Sequence, residues 1–304
     1  MEVDHRESHS VFGYELNRIY LENFLEAADK FPDNSFDLII VDPPYNLSKG
    51  NNLKWDNSVK LPRLGGNWAK TMEVWDNMSL WDYVDFSYAW LTQVHRLIKP
   101  TGSIWVHGTY HSIGIINFLM QVIGMEIINE VVWYKRNSFP NLSGRRLTAS
   151  HETILWAHKG GKKREYFFDY QKSKDIYLES DKMKKKGKQL RTVWDIPNNK
   201  QKEEIKFGKH PTQKPLSLTE RMISISAKSG QICLIPFAGS GTEAVACMEK
   251  DINFIGFEIE QKYLDIAVKR IAEEKSHKTN VDLKKSRTTN LLKFITENSM
   301  EEFK

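Results

Sequence analysis

Gln231-Ile232-Cys233-Leu234-Ile235-Pro236-Phe237-Ala238-Gly239-Ser240-Gly241-Thr242 reads as a short apolar strand that ends in a glycine turn, and the stretch from Thr242 to Lys250 is helical in pattern. Strand, glycine turn and helix in immediate succession is how an open α/β sheet brings bare backbone up to a nucleoside ligand. A dinucleotide-binding turn has the same Gly-x-Gly after a strand and wants an acidic residue about 20 positions on. Glu258, closing the apolar run Phe254 to Phe257, supplies such an acid. The third glycine is missing, however, and Phe237 is bulky where a pyrophosphate would need uncovered backbone. A ligand with a ribose and no pyrophosphate fits this turn better, and S-adenosylmethionine is the obvious one.

Outward from this stretch, strand and helix patterns alternate. Ile19 to Glu22 and Phe36 to Val41 read as strands on either side of a helix at Phe24 to Phe31. Trp81 to Leu97 has helical spacing, Ser103 to Val106 is a strand, Ile113 to Val122 a helix, and Glu126 to Tyr134 and Thr153 to Ala157 are further strands. Leu216 to Ala227 is a helix leading into the Gln231 strand, and an Asn253 strand and a Tyr263 to Lys275 helix close the series. Strands separated by helices predict an α/β fold with a doubly wound, mainly parallel sheet. Asn46 to Ser79 is rich in Asn, Gly and Lys and carries Trp55, Trp68 and Trp75, with little clear period. So long a structureless run in a compact protein is expected to be a functional lid or disordered.

Asp42-Pro43-Pro44-Tyr45 stands directly behind the Phe36 strand. A carboxylate and a proline-locked carbonyl can accept both hydrogens of an exocyclic amine, while Tyr45 offers a flat face to a base. Taken alone, the tetrapeptide also reads as an ordinary turn, since Pro presets φ and Asp opens turns well. In open α/β sheets, ligands sit beyond the carboxyl ends of the strands, where strand order reverses. Asp42 and Gly239 each lie just past a strand end, so the two motifs are expected to share one site.

Together with Lys209-His210-Pro211-Thr212-Gln213-Lys214-Pro215, these motifs resemble the amino-group DNA methyltransferases in the permuted order called the β class, with the catalytic motif first and the cofactor motif last. The resemblance runs from Ile19 to Arg270 and takes in Trp90 to His107, Trp133-Tyr134-Lys135-Arg136-Asn137 and His151-Glu152-Thr153. It implies a Rossmann-like methyltransferase fold, S-adenosylmethionine as cofactor, and methylation of N6 of a flipped-out adenine in DNA without metal or covalent intermediate. Asp42, Pro43, Pro44 and Tyr45 become the catalytic candidates. Lys209, His210, Pro211, Thr212, Phe237, Ala238, Gly239, Ser240, Gly241, Thr242 and Glu258 become the cofactor-binding ones, with Glu258 taking the ribose hydroxyls and Phe237 flanking the adenosine or the sulfonium. The structural alternatives are a packing role for Phe237 and a helix N-terminal charge for Glu258. Related cytosine-N4 enzymes commonly carry Ser where Asp42 stands, which favours adenine. The resemblance leaves room for a homodimer and for a cognate restriction endonuclease.

One position departs from the family. An aspartate usually stands directly before the Pro-Phe of the cofactor motif, where it meets the methionine amino group; here it is Ile235. Either the pocket is rebuilt around isoleucine, or cofactor binding is weakened, as in a catalytically silent DNA-binding subunit of a modification complex. The otherwise intact glycine loop favours the rebuilt pocket.

At 304 residues and 40% hydrophobic content the chain can hold one large α/β domain with an insert, or two domains. The expected division is a catalytic half at 1–159, an inserted target-recognition region at 160–208, a cofactor-binding half at 209–275 and a polar extension at 276–304, with a short helix around Asn290 to Ile295 and no assigned function. No apolar stretch has membrane-spanning length, and Met1-Glu2-Val3-Asp4-His5 lacks a charged-then-apolar signal pattern, so a soluble, cytoplasmic protein with no membrane partner is expected. Cys233 and Cys247 read as buried thiols. His107 and His111 lack the adjacent glutamate of a metal-helix motif, and no metal site is expected. The net charge of +5 is unevenly spread: Gly160 to Lys209 carries fifteen Lys and Arg against eight Asp and Glu, a net of +7 that leaves the remainder at −2. Its Lys182 to Lys188 run reads as a solvated loop or as a strip that neutralises phosphates. Lying between the two halves of the site it favours the second, with Arg136, Lys184, Lys185, Lys186, Lys188 and Arg191 as candidate DNA contacts.

Overall fold

A computed structural model describes residues 10–46, 78–138, 140–141, 145–181, 185, 187–198 and 201–280. Most of the expected Asn46 to Ser79 loop, Lys184, Lys186 and the helix expected at Asn290 to Ile295 lie outside the described residues. A small antiparallel pair, β1 (Ser10–Val11) and β2 (Tyr14–Glu15), opens the chain. Then come β3 (Arg18–Leu21), α1 (Phe24–Ala28), β4 (Phe36–Val41), α2 (Leu80–Leu97), β5 (Ile98–Gly108), α3 (Ile113–Ile123), β6 (Glu126–Tyr134) and β7 (His151–His158). The basic stretch holds α4 (Lys172–Asp175), β8 (Val193–Asp195) and α5 (Lys202–Ile205). Last come α6 (Leu216–Ser226), β9 (Ile232–Ile235), α7 (Thr242–Glu249), β10 (Asn253–Glu258) and a helix over 261–280.

The eight-stranded sheet runs β3-β10-β9-β4-β5-β7-β6-β8. All neighbours are parallel except β7, which is antiparallel to both β5 and β6. Parallel neighbours need a long crossover, usually a helix, and among the described residues no helix separates β6 from β7, so the chain can return along itself. The chain moves outward from β4 to β5 on one side and from β9 to β10 on the other. The sheet is therefore doubly wound, and strand order reverses between β4 and β9.

Side chains of β4 show why this strand is central. Ile39 and Val41 enter an apolar cluster shared with Phe24, Trp90, Leu91 and Ile116, whereas Leu38 and Ile40 enter a second cluster with Leu218, Met222, Ala244 and Phe254. The period of two sends alternate residues to opposite faces, and an unbroken apolar run is what a strand covered on both faces requires. Buried Trp105 and Trp156 stack at 4.9 Å between ring centroids. Their indole N–H groups donate to Ser226 Oγ at 2.9 Å and Ser103 Oγ at 3.1 Å, so neither polar tip is stranded.

The sheet differs from expectation at β5 and β8, and the short β1, β2, α4 and α5 have no counterpart in the expected series. β5 begins at Ile98, five residues before the expected Ser103, because the chain passes from α2 straight into the sheet; its pairing with β4 slips between Phe36 and Leu38. β8, inside the basic stretch, has no counterpart in the expected series: it pairs in parallel with the edge of β6. That stretch is bolted down by a buried ion pair in which Arg221 of α6 grips both Asp181 oxygens, at 2.9 and 3.0 Å. Tyr166, Phe168 and Ile176 pack on the second apolar cluster beside it.

Candidate active site

The carboxyl ends of β4 and β9 open into a cavity of about 520 Å³. Asp42 to Tyr45 form one wall, Lys209 to Lys214 a second, and Pro236 to Ser240 with Thr242 and Glu243 a third; Phe24, Phe86, Glu258 and Tyr263 are among the other lining residues. The two motifs and the Lys209 stretch are thus brought together at the reversal of strand order. Cys233 and Cys247 are both free and buried, away from this cavity.

The glycine loop is held from both ends. Ala238 N–H donates to the Phe257 carbonyl at 2.8 Å, Gly239 N–H to Glu258 Oε2 at 2.7 Å, and Arg270 donates to the Ser240 carbonyl at 2.8 Å and Thr242 Oγ1 at 3.0 Å. Gly239 has φ +49°, and a side-chain carbon there would meet the His210 ring at 3.4 Å. Gly241 is a different case. It does not line the cavity; its φ of +77° and the 2.8 Å from its missing Cβ to Ala267 make it the residue that lets α7 start against the 261–280 helix. Glu258 lines the cavity, and its Oε1 accepts the Ile259 and Glu260 N–H groups at 2.8 Å each, capping the following helix. Phe237 likewise lines the cavity while packing edge-on against Phe24 and Trp90, at 6.3 and 6.0 Å between centroids.

A buried charge network underlies Asp42. Lys214, 2% exposed, donates to both Asp42 oxygens at 2.9 and 2.7 Å and to the Thr212 carbonyl at 3.0 Å. The Tyr45 hydroxyl donates to Asp42 Oδ1. Lys214 also faces Glu152 at 3.9 Å, and Glu152 is paired to Lys135 at 2.8 Å. Burial alone would raise the Asp42 carboxyl, but the Lys214 charge and hydrogen bonds outweigh it and hold the group below the ordinary carboxylate range. Burial would lower the Lys214 ammonium, yet Asp42 and Glu152 leave it raised. Fully buried His107, at the end of β5, finds no hydrogen-bond partner for either ring nitrogen among the described residues, and burial brings it down to about 4. It is a neutral imidazole at neutral pH.

Several of these groups escape sequence reading. Lys214 and Glu152 stand inside quoted motifs, but an ion pair between residues 42 and 214 has no local signal. Glu243 follows Thr242 and reads as an acid in the first turn of a helix. Tyr45 is 4% exposed, and Lys214 Nζ stands 5.0 Å from its ring centroid, so its ring is a wall and not an open platform. Arg136, far from being a free cation, donates from Nε to Asp195 Oδ1 at 2.9 Å, which ties the end of β6 to β8. Lys185, Lys188 and Arg191 are exposed.

The chain is similar to known proteins over most of its length. The chain is 36% identical over 272 residues to the type II methyltransferase M.HinfI of Haemophilus influenzae, covering 88% of this chain and 72% of that one. It is 35% identical over 264 residues to the type II methyltransferase M2.DpnII of Streptococcus pneumoniae, covering 86% and 92%. The solved M1.HpyAVI-SAM complex superposes with a TM-score of 0.59 at 27% identity, over 84% of this chain and 98% of that one. A family model described as DNA methylase matches residues 36–269, from the strand that carries Asp42 to the helix that braces the glycine loop. With both motifs at one reversal of strand order, and with that match across most of its length, the chain belongs to the DNA methylase family.

Proposed function

We propose that this DNA methyltransferase transfers a methyl group from S-adenosylmethionine to N6 of adenine in DNA. The observation that carries the reading is the Asp42 carboxylate, ionised by Lys214 and placed across one cavity from the glycine loop. The cavity suits the cofactor: its size is in the range of small-molecule sites, its floor at Gly239 lacks a side chain, Glu258 offers acceptor oxygens for hydroxyls, and Phe24, Phe86 and Phe237 give an apolar wall. When bound, S-adenosylmethionine supplies an electrophilic methyl group.

The rest is done by the chain. An adenine amine is a weak nucleophile because its lone pair is delocalised into the ring. Asp42 and the Pro43 carbonyl accept its two N–H groups, fixing the nitrogen and favouring a pyramidal geometry. Lys214 and the Tyr45 hydroxyl together fill three of the four lone-pair directions of Asp42, leaving one for the amine. Because Lys214 keeps Asp42 ionised, the carboxylate acts as an acceptor from the start, and it takes the proton only after N6 has become cationic. The target base reaches this site by leaving the duplex.

Segment 160–208 is, in the same reading, the target-recognition region, with Lys185, Lys188 and Arg191 meeting phosphates beside Lys184 and Lys186. Segments 1–159 and 209–275 supply the catalytic and cofactor halves, and a homodimer and a cognate restriction endonuclease are the partners that type II enzymes of this kind suggest. Incubating purified protein with DNA and labelled S-adenosylmethionine should yield N6-methyladenine. Label recovered only as N4-methylcytosine would establish the cytosine reading in its place, and label absent from DNA would support a silent subunit.

The basic strip carries its own test. Replacing Lys184, Lys185 and Lys186 with Gln should weaken DNA binding and reduce its salt dependence by about one slope unit per lost phosphate contact. An unchanged slope would return the run to a solvated loop.

A further inference from the structure

A methionine-bearing cofactor brings an ammonium group, and this chain has isoleucine at the position where its family places the acceptor. Ile235 is fully buried, belongs to the apolar cluster on one face of the sheet and does not line the cavity. Another carboxylate does. Glu243, in the first turn of α7, is 4% exposed and lines the cavity wall beside Asp42. Among the described residues it meets no hydrogen-bond partner beyond its own backbone N–H. A buried carboxylate without a partner is costly, and a fold keeps one where a cation completes it.

Resting on the reading of the cavity as the S-adenosylmethionine site, we infer that Glu243 is the acceptor for the methionine ammonium group, in place of the aspartate that Ile235 displaces. Lys214 cannot take that role, being a cation itself, and Glu258, with three acceptor directions given to backbone N–H groups, has its remaining one assigned to the cofactor hydroxyls. The charged and titratable groups facing Glu243 are Asp42 and Tyr45 from the end of β4, Lys214 from the 209–215 stretch, Arg270 from the 261–280 helix and Cys233 from β9. Burial first, and Asp42 second, push the Glu243 carboxyl up to about 7. An arriving ammonium favours the ionised form, so binding near neutral pH releases a proton from this residue.

Calorimetric titration of wild type and Glu243→Gln with S-adenosylhomocysteine and with 5′-methylthioadenosine, which has the nucleoside but no amino-acid tail, tests this in buffers of differing ionisation enthalpy. Glu243→Gln should bind S-adenosylhomocysteine about tenfold or more weakly and 5′-methylthioadenosine within about twofold of wild type. Proton release on binding S-adenosylhomocysteine should disappear in the variant. Unchanged affinity for S-adenosylhomocysteine would overturn the assignment, and so would an equal loss of both ligands, which marks a structural role. Wild-type protein that binds neither ligand would overturn the cofactor reading itself, a result distinct from failure of Glu243.

Discussion

Asp42→Asn is expected to lower single-turnover methyl transfer by about a thousandfold or more while leaving S-adenosylmethionine affinity within a few-fold. The carboxylate is assigned to the amine, and an amide of the same shape brings neither the charge that favours a cationic nitrogen nor a group that can take its proton. Asn is a better probe than Ala. Lys214 is 2% exposed and gives both its short side-chain contacts to Asp42; truncation would strand its charge with the Thr212 carbonyl and a Glu152 oxygen 3.9 Å away. Removing one member of a buried ion pair costs about 3–5 kcal/mol, so Asp42→Ala should also melt markedly earlier. The pH dependence has a definite sign. The folded Asp42 carboxyl is held below its ordinary value, so its contribution to stability is present above about pH 4 and is lost as pH falls through the folded value. The melting gap between wild type and Asp42→Ala should therefore close in acid. Retained turnover in Asp42→Asn, or loss of its cofactor binding, would show that Asp42 has been given the wrong partner.

The parts of the site that could be read in advance are those written in local sequence. β4 falls on its expected residues because its apolar run is flanked by turn residues, and β6 because it is rich in β-branched and aromatic residues. Asp42 and Gly239 converge because each ends a parallel strand, and the geometry of such sheets gathers strand ends. What could not be read was pairing across the chain. The Lys214–Asp42 pair joins two motifs with separate expected tasks, one in catalysis and one at the cofactor, and its consequence is that the two halves of the site share a charge. β8 has three residues, of which Trp194 alone is buried, in a segment whose most audible signal is charge. Arg136 reads as a DNA contact by its sign, and its pairing with Asp195, on that unexpected strand, has no local signal. Gly241 fits a ligand-binding pattern, yet its missing side chain makes room for Ala267.

The position that breaks the family pattern gives the other large effect: Ile235→Asp should destabilise the fold by about 4 kcal/mol or more, the range reached when an unpaired charge is buried in a core. Ile235 ends β9 with no exposed surface, and its side chain joins the cluster of Ile19, Ala238, Cys247 and Ala267 on the face away from Leu234. Its Cβ stands 3.6 Å from where a side chain on Gly256 of the adjacent strand would begin. No cation among these neighbours could pair with a carboxylate. An aspartate there would titrate well above its ordinary value of about 4, so the destabilisation should shrink in acid, as the unfolded and folded chains both bind the proton, and grow as pH rises past that value. Cofactor affinity should fall or stay level, because Pro236 and not residue 235 faces the cavity. Thermal melting across pH together with calorimetric titration of S-adenosylmethionine checks both halves. An Ile235→Asp protein that melts with wild type and binds the cofactor more tightly would mean that β9 turns its last side chain toward the ligand, and that the native site lacks an acceptor which Glu243 does not replace.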